Sequence, residues 1–200
     1  MCVVIKERLR QALAVRTKVR IHDKNLVQAA VLLPIFLKDG QHHILFTQRS
    51  NHVHHHKGQV SFPGGGRHES ERSLQDTALR ETWEEIGLEP RDVELLGELD
   101  DARTATSGFV VSPFVAFIPY PYKFKVSDYE CDEIFDLPVE DLIHEAKVKE
   151  DRYAVGDEHF ITYSYEYEGR LIWGATAGIL HQLLEIWKSC ISAQHPLLFS

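Results

Sequence analysis

The segment RETWEEIGL places Arg80, Glu81, Glu84 and Glu85 close together, downstream of three consecutive glycines, Gly64, Gly65 and Gly66. On a helix advancing about 100° per residue, Glu84 and Glu85 fall roughly 60° and 40° to either side of Glu81. The three carboxylates then share one face. Like charges at this spacing repel and weaken an isolated helix by a few tenths of a kcal/mol, about 0.3 per pair. A hard divalent cation removes that penalty. Mg²⁺ favours carboxylate oxygens, keeps several waters and often shares its site with substrate phosphates. The alternative is a solvated acidic face. The glycines bear on the choice, because they admit positive φ and close approach of a ligand. Set before a helix, they can shape a phosphate-binding loop. The same wheel puts Leu79, Trp83 and Ile86 opposite the carboxylates, as the expected core face.

Local charge supports an anion beside a cation. The chain is acidic overall, with net charge −8, a balance that disfavours nucleic acid and anionic membranes as partners. Yet no acidic residue occurs between His42 and His68, a stretch holding Arg49, Lys57, Arg67 and seven of the twelve histidines. A chance surface loop is the plainer alternative. The run His54–His56 does not read as a zinc site, since adjacent side chains converge poorly on one ion and no cysteine lies nearby. Cys2, Cys131 and Cys190 are too scattered for a disulfide framework, and a reducing, cytoplasmic setting is expected. No apolar run is long enough for a membrane span.

These side chains need a scaffold. The 200 residues suit a single domain. A helix is expected over 3–14, with Val3, Val4, Leu9, Leu13 and Ala14 as apolar contacts. LVQAAVLLPIFL (26–37) reads as a buried strand in which Pro34 should make an interruption or a bulge. KDGQ turns the chain into a second strand, HHILFTQR (42–49), and QVSF (59–62) runs into the glycines. The clearest helix spans 74–86, with Gly87 as C-cap and Leu88 as its apolar partner. VELLGEL and FVVSPFVAFI (109–118) are strands, and YKFKV (122–126) is a candidate to pair with the latter. PVEDLIHEA starts a short helix at Pro138. A hairpin over 159–174 turns at Glu168–Gly169, and a final helix covers about 175–191. Helices flanking a mixed sheet make an α/β sandwich.

The stretch resembles the Nudix box, Gx5Ex7REUxEExGU, over about 65–88. Thr82 replaces the usual aliphatic residue, and eight residues rather than seven separate Glu71 from Arg80. Upstream, LFTQRSNHVHHHKGQVSFPGG (45–65) is similar to the signature of the coenzyme A pyrophosphatase branch, LLTxRSx3Rx3GxxxFPGG. Leu45, Thr47, Arg49, Ser50, Gly58, Phe62, Pro63, Gly64 and Gly65 are in register, and His54 stands where a second arginine is usual. TATSGFVVSPFVAFI and IWGATAGIL also look like this branch.

The resemblance implies an α/β/α sandwich with a mixed sheet between helices, and hydrolysis of a nucleoside diphosphate linked to another moiety. In the branch's terms the substrate is coenzyme A or an acyl derivative, a small molecule. Glu81, Glu84 and Glu85 would hold Mg²⁺ or Mn²⁺. Glu81, Arg80 and Glu84 are the catalytic candidates: Glu81 for the base or for a metal-activated hydroxide, and Arg80 to orient it by a charge-assisted bond, with a plain i,i+4 pair to Glu84 as the alternative. Arg49, His54, Lys57 and Arg67 would meet phosphates, beside the backbone of Gly64 and Gly65. Glu130 and Glu133 are candidates for a distal base or ligand, with plain surface residues as the alternative. A monomer or homodimer is expected. Other readings are a Nudix hydrolase of ADP-ribose or a dinucleotide, a non-catalytic nucleotide sensor, and an unrelated acidic interaction helix.

Overall fold

The computed structural model describes residues 2–49, 58–105, 107–126, 131–155 and 158–192. In chain order the elements are α1 (Cys2–Val15), β1 (Val27–Lys38), β2 (Gln41–Arg49), β3 (Val60–Ser61), β4 (Gly64–Gly66), α2 (Leu74–Ile86), a 3-10 turn (Pro90–Asp92), β5 (Glu94–Glu98), β6 (Ala102–Arg103), β7 (Phe109–Phe117), β8 (Cys131–Pro138), α3 (Val139–His144), β9 (Lys147–Val155), β10 (Glu158–Tyr167), β11 (Arg170–Trp173) and α4 (Gly174–Ser192).

Among the described residues a mixed eight-stranded sheet runs β3-β2-β1-β7-β5, with β4 on β1, β6 on β7 and β8 on β2. Its central pair, β1 and β7, is parallel from Val27↔Phe109 to Ile35↔Phe117. Both strands are nearly unbroken apolar runs because both of their faces are covered. Ala29, Leu33 and Ile35 join Val111, Val115 and Phe117 in a core built with α1, α3 and α4. Ala30, Leu32 and Phe36 join Phe114, Ala116 and Ile118 in a second core under α2. The α/β/α layering follows from this alternation. A second sheet, β11-β10-β9, lies antiparallel, and α4 packs on it through Ile172 and Tyr165. No helix among the described residues is long and apolar enough to cross a membrane.

Several expectations need correction. In α1 the buried contacts are Ile5, Leu9 and Leu13, while Val4 and Ala14 are exposed. The strand containing Pro34 is continuous. β1 passes there from β4, which it pairs as far as Val31, to β2, which it pairs from Ile35. Leu32 N–H donates to Pro63 O on that side. Strand alternation therefore aims the missing N–H of Pro34 at the change of partner, where no ladder bond is lost. The segment 122–126 is not a strand: Tyr122 and Phe124 pack under α2, and Lys125 N–H donates to Ile86 O at 2.9 Å.

Candidate functional site

Helix α2 begins where Ser73 Oγ accepts Asp76 N–H at 3.1 Å and stops at Gly87, whose φ of 68° turns the chain out. Its buried residues are Thr77, Ala78, Thr82, Glu85 and Ile86, whereas Trp83 is 49% exposed. The expected assignment of faces is thus rotated. The carboxylates of Glu81 and Glu85 turn toward the protein, and Trp83 turns to solvent. Thr82 is fully buried, and its hydroxyl finds no hydrogen-bond partner among the described residues.

Both carboxylates point at the glycines. A Cβ on Gly65 would stand 2.5 Å from Glu81 Cδ and Oε2. Gly64 N–H donates to Glu85 Oε2 at 3.1 Å. Gly64 has φ of 150°, and a Cβ there would also strike Ala30 O. These glycines do not form a phosphate loop leading into the helix. They form β4, paired Ala29↔Gly66, Ala30↔Gly65 and Val31↔Gly64. Their bareness admits the side chains of α2 against the strand.

Arg80 holds this arrangement together. Its Nε donates to Glu71 Oε1 at 2.7 Å, Nη1 to Glu84 Oε2 at 2.7 Å and Nη2 to Gly66 O at 3.1 Å. Nη2 also lies 2.8 Å from Glu81 Oε1. Arg80 is kept charged: burial opposes the charge, but the bonds to Glu71, Glu81 and Glu84 outweigh it. Glu71 is the residue that sequence reasoning passed over, although its place in the motif marked it. It also accepts from Thr77 Oγ1 at 2.7 Å and His68 N at 2.8 Å. Burial pushes its carboxyl upward, yet the bonds from Arg80, Thr77 and His68 prevail and bring the pKa down to about 2.

Glu81, Glu84 and Glu85 share α2 but not one direction. Glu84 is half-exposed and turns to Arg80. Among the described residues no three His, Cys, Asp or Glu side chains close on one point. The donors beside Gly64 and Gly65 are two carboxylates, hard oxygen ligands suited in kind to a hydrated Mg²⁺ or Mn²⁺. Arg67 has a framework role: its N–H donates to Gln28 O at 2.9 Å, Nη1 to Gln28 Oε1 at 2.7 Å and Nη2 to Glu71 O at 3.1 Å. Arg49 ends β2 opposite Cys131. His54, Lys57 and Glu130 lie outside the described residues. Glu133 is in a two-pronged pair with Arg170 at 2.7 and 3.1 Å.

On the α4 side of the sheet, the glycine strand also walls a largely apolar cavity of about 460 Å³. Val31, Phe109 and Ile179 supply apolar surface, and Gln59, Thr104 and Ser107 supply polar atoms. Trp173 stands in its wall. Sequence reading did not single out these residues as a group, because they come from distant segments.

The comparisons agree with this architecture. Residues 26–161 match the NUDIX domain family. The uncharacterized Nudix hydrolase NudL of Escherichia coli (strain SMS-3-5 / SECEC) is 37% identical over 169 residues, covering 84% of this chain and 86% of the relative. A MutT/nudix family protein from Enterococcus faecalis shares the fold with a TM-score of 0.55 at 16% identity, over 88% of this chain and 66% of that one. The Nudix hydrolase RenU from M. smegmatis does so with a TM-score of 0.52 at 18% identity, over 87% and 90%. With the box helix seated on its glycine strand and a family match spanning most of the sheet, the chain belongs to the NUDIX family.

Proposed function

We propose that this Nudix hydrolase cleaves the diphosphate bond of coenzyme A or an acyl derivative, giving adenosine 3′,5′-bisphosphate and the matching 4′-phosphopantetheine. The observation that carries the proposal is the seating of Glu81 and Glu85 against Gly65 and Gly64, glycines that also line the 460 Å³ cavity. The upstream signature from Leu45 to Gly65 supports the coenzyme A assignment.

Glu81, Glu85 and, from the exposed side, Glu84 are the residues that would hold Mg²⁺ or Mn²⁺. When bound, the cation supplies charge neutralisation at the diphosphate. Glu81 accepts a proton from the attacking water, and Arg80 fixes its carboxylate, as the 2.8 Å contact allows. The N–H of Gly64 orients Glu85. Gly64 and Gly65 line the cavity in which the diphosphate would lie, with Glu81 and Glu85 seated against them. Arg49, His54 and Lys57 meet the outer phosphates, with Arg67 fixing the adjoining chain. Glu130 remains a candidate distal ligand, whereas Glu133 is engaged by Arg170.

The test is incubation of the purified protein with coenzyme A and Mg²⁺ or Mn²⁺, with ADP-ribose in parallel and products identified by mass spectrometry. Phosphopantetheine together with adenosine 3′,5′-bisphosphate is the expected result. Turnover of ADP-ribose alone would favour the second reading, a hydrolase of another nucleoside diphosphate derivative. That reading draws on His54, a weaker phosphate partner than the arginine usual there.

A further inference from the structure

Trp173 is 50% exposed, yet it is firmly mounted. Its strand β11 pairs with β10 through Ser164↔Trp173 and Tyr165↔Ile172. Ile172 is buried just before it. Arg170 ties the same strand to the main sheet: its guanidinium lies 3.7 Å from the Phe135 ring centroid, pairs with Glu133, and donates to Gln48 Oε1 at 3.3 Å. The strand that carries the indole is therefore held in place.

Trp173 also occupies a boundary. It lines the apolar cavity beside the glycines and a second, more polar one of about 630 Å³ that includes Gln48, Gln59 and Arg170. The apolar cavity contains a polar feature that a purely aliphatic occupant would waste. Ser107 Oγ is buried in its wall with no hydrogen-bond partner among the described residues. An aromatic surface and an unpartnered hydroxyl in the wall of one cavity match a nucleobase, which has a π face and a polar edge. Trp83 has nearly the same exposure but lines neither cavity, so exposure alone does not explain the placement of Trp173.

Building on the diphosphate-hydrolase reading, we infer that Trp173 is the platform on which the substrate's nucleobase stacks, with Ser107 reading the base edge. The nucleoside end then lies between the second sheet and β4, and the diphosphate reaches Glu81 and Glu85 past the glycines. Trp173 is a positioning and specificity residue and takes no part in bond cleavage.

The test uses the intact protein. Tryptophan fluorescence is titrated with ADP and, separately, with 4′-phosphopantetheine, in wild type, Trp173→Phe and Trp83→Phe. ADP should quench wild type and Trp83→Phe, and the quench should vanish in Trp173→Phe, whose ring still stacks but does not report. Quenching by ADP that survives in Trp173→Phe would overturn the inference, as would quenching by 4′-phosphopantetheine alone. In turnover of coenzyme A or ADP-ribose, Trp173→Ala should raise KM about 10-fold with kcat changed less than about threefold, the scale of one lost base–aromatic stack. Trp173→Phe should restore most of the loss. An unchanged KM in Trp173→Ala would also overturn the inference. ADP quenching through Trp173 in a protein that turns over neither substrate would sustain this site and remove the coenzyme A and ADP-ribose assignments, so the two fail separately.

Discussion

Gly65 and Glu81 are matched in shape: the hydrogen on Cα of residue 65 faces the carboxylate, and a methyl carbon there would sit 2.5 Å from Glu81 Cδ. Gly65→Ala should therefore displace Glu81 without unfolding the sheet. Misplacing a reacting group by about 1 Å costs on the order of 100-fold in rate. We expect kcat to fall by about that factor while thermal unfolding shifts little. A variant with wild-type kcat would show that Glu81 need not stay where β4 puts it.

Glu85 is buried and held by Gly64 N–H. Glu85→Gln keeps the volume and an acceptor oxygen but loses the charge. It should remove nearly all turnover, at least about 100-fold, with circular dichroism unchanged. Chelation of divalent ions should silence the wild type to a similar extent, and added Mg²⁺ or Mn²⁺ should restore it. Near-normal activity in the variant would displace Glu85 from the proposed chemistry.

Arg49→Ala should weaken coenzyme A more than ADP-ribose, because only the former carries the extra 3′-phosphate. A single lost charge-assisted contact is worth about 2 kcal/mol, or roughly 30-fold in kcat/KM. Equal losses on both substrates would remove its assigned role.

The Glu71–Arg80 bond makes stability depend on acid. The Glu71 carboxyl is drawn from the ordinary 4.5 to about 2 in the folded chain. Its contribution is complete above about pH 4.5 and is lost as pH falls toward 2, where the unfolded chain takes up the proton first. Glu71→Gln should cost about 2 kcal/mol at neutral pH and flatten the decline between pH 5 and 2. Urea unfolding across that range measures both. A variant with the wild-type slope would mean that another carboxylate governs it.

Much of this was legible in the chain itself. Ser73, Gly87 and the apolar spacing between them mark α2 because caps and periodicity are local signals. The runs that became β1 and β7 are legible for the same reason. Strands β8 and β9 escaped notice. CDEIFDLP and KVKEDRYAV carry many charges and become strands by pairing, the first with β2 from far upstream and the second with its neighbour β10. The buried setting of Glu85 was equally hidden, since a carboxylate reads as surface until Gly64 donates to it. Trp83 reads as core for the converse reason. Its wheel position is apolar, but the helix is rotated so that Glu85 is buried and Trp83 is left half-exposed.

The glycine strand has carboxylates seated along it and forms part of a cavity reached from the other layer. On the proposed reading, the edge that positions the cut is written in α2 and β4, and the surface that selects what is cut draws on β7, β11 and the start of α4. Substitutions in the second group would then change what is bound without moving the first, and three glycines are the seam between them.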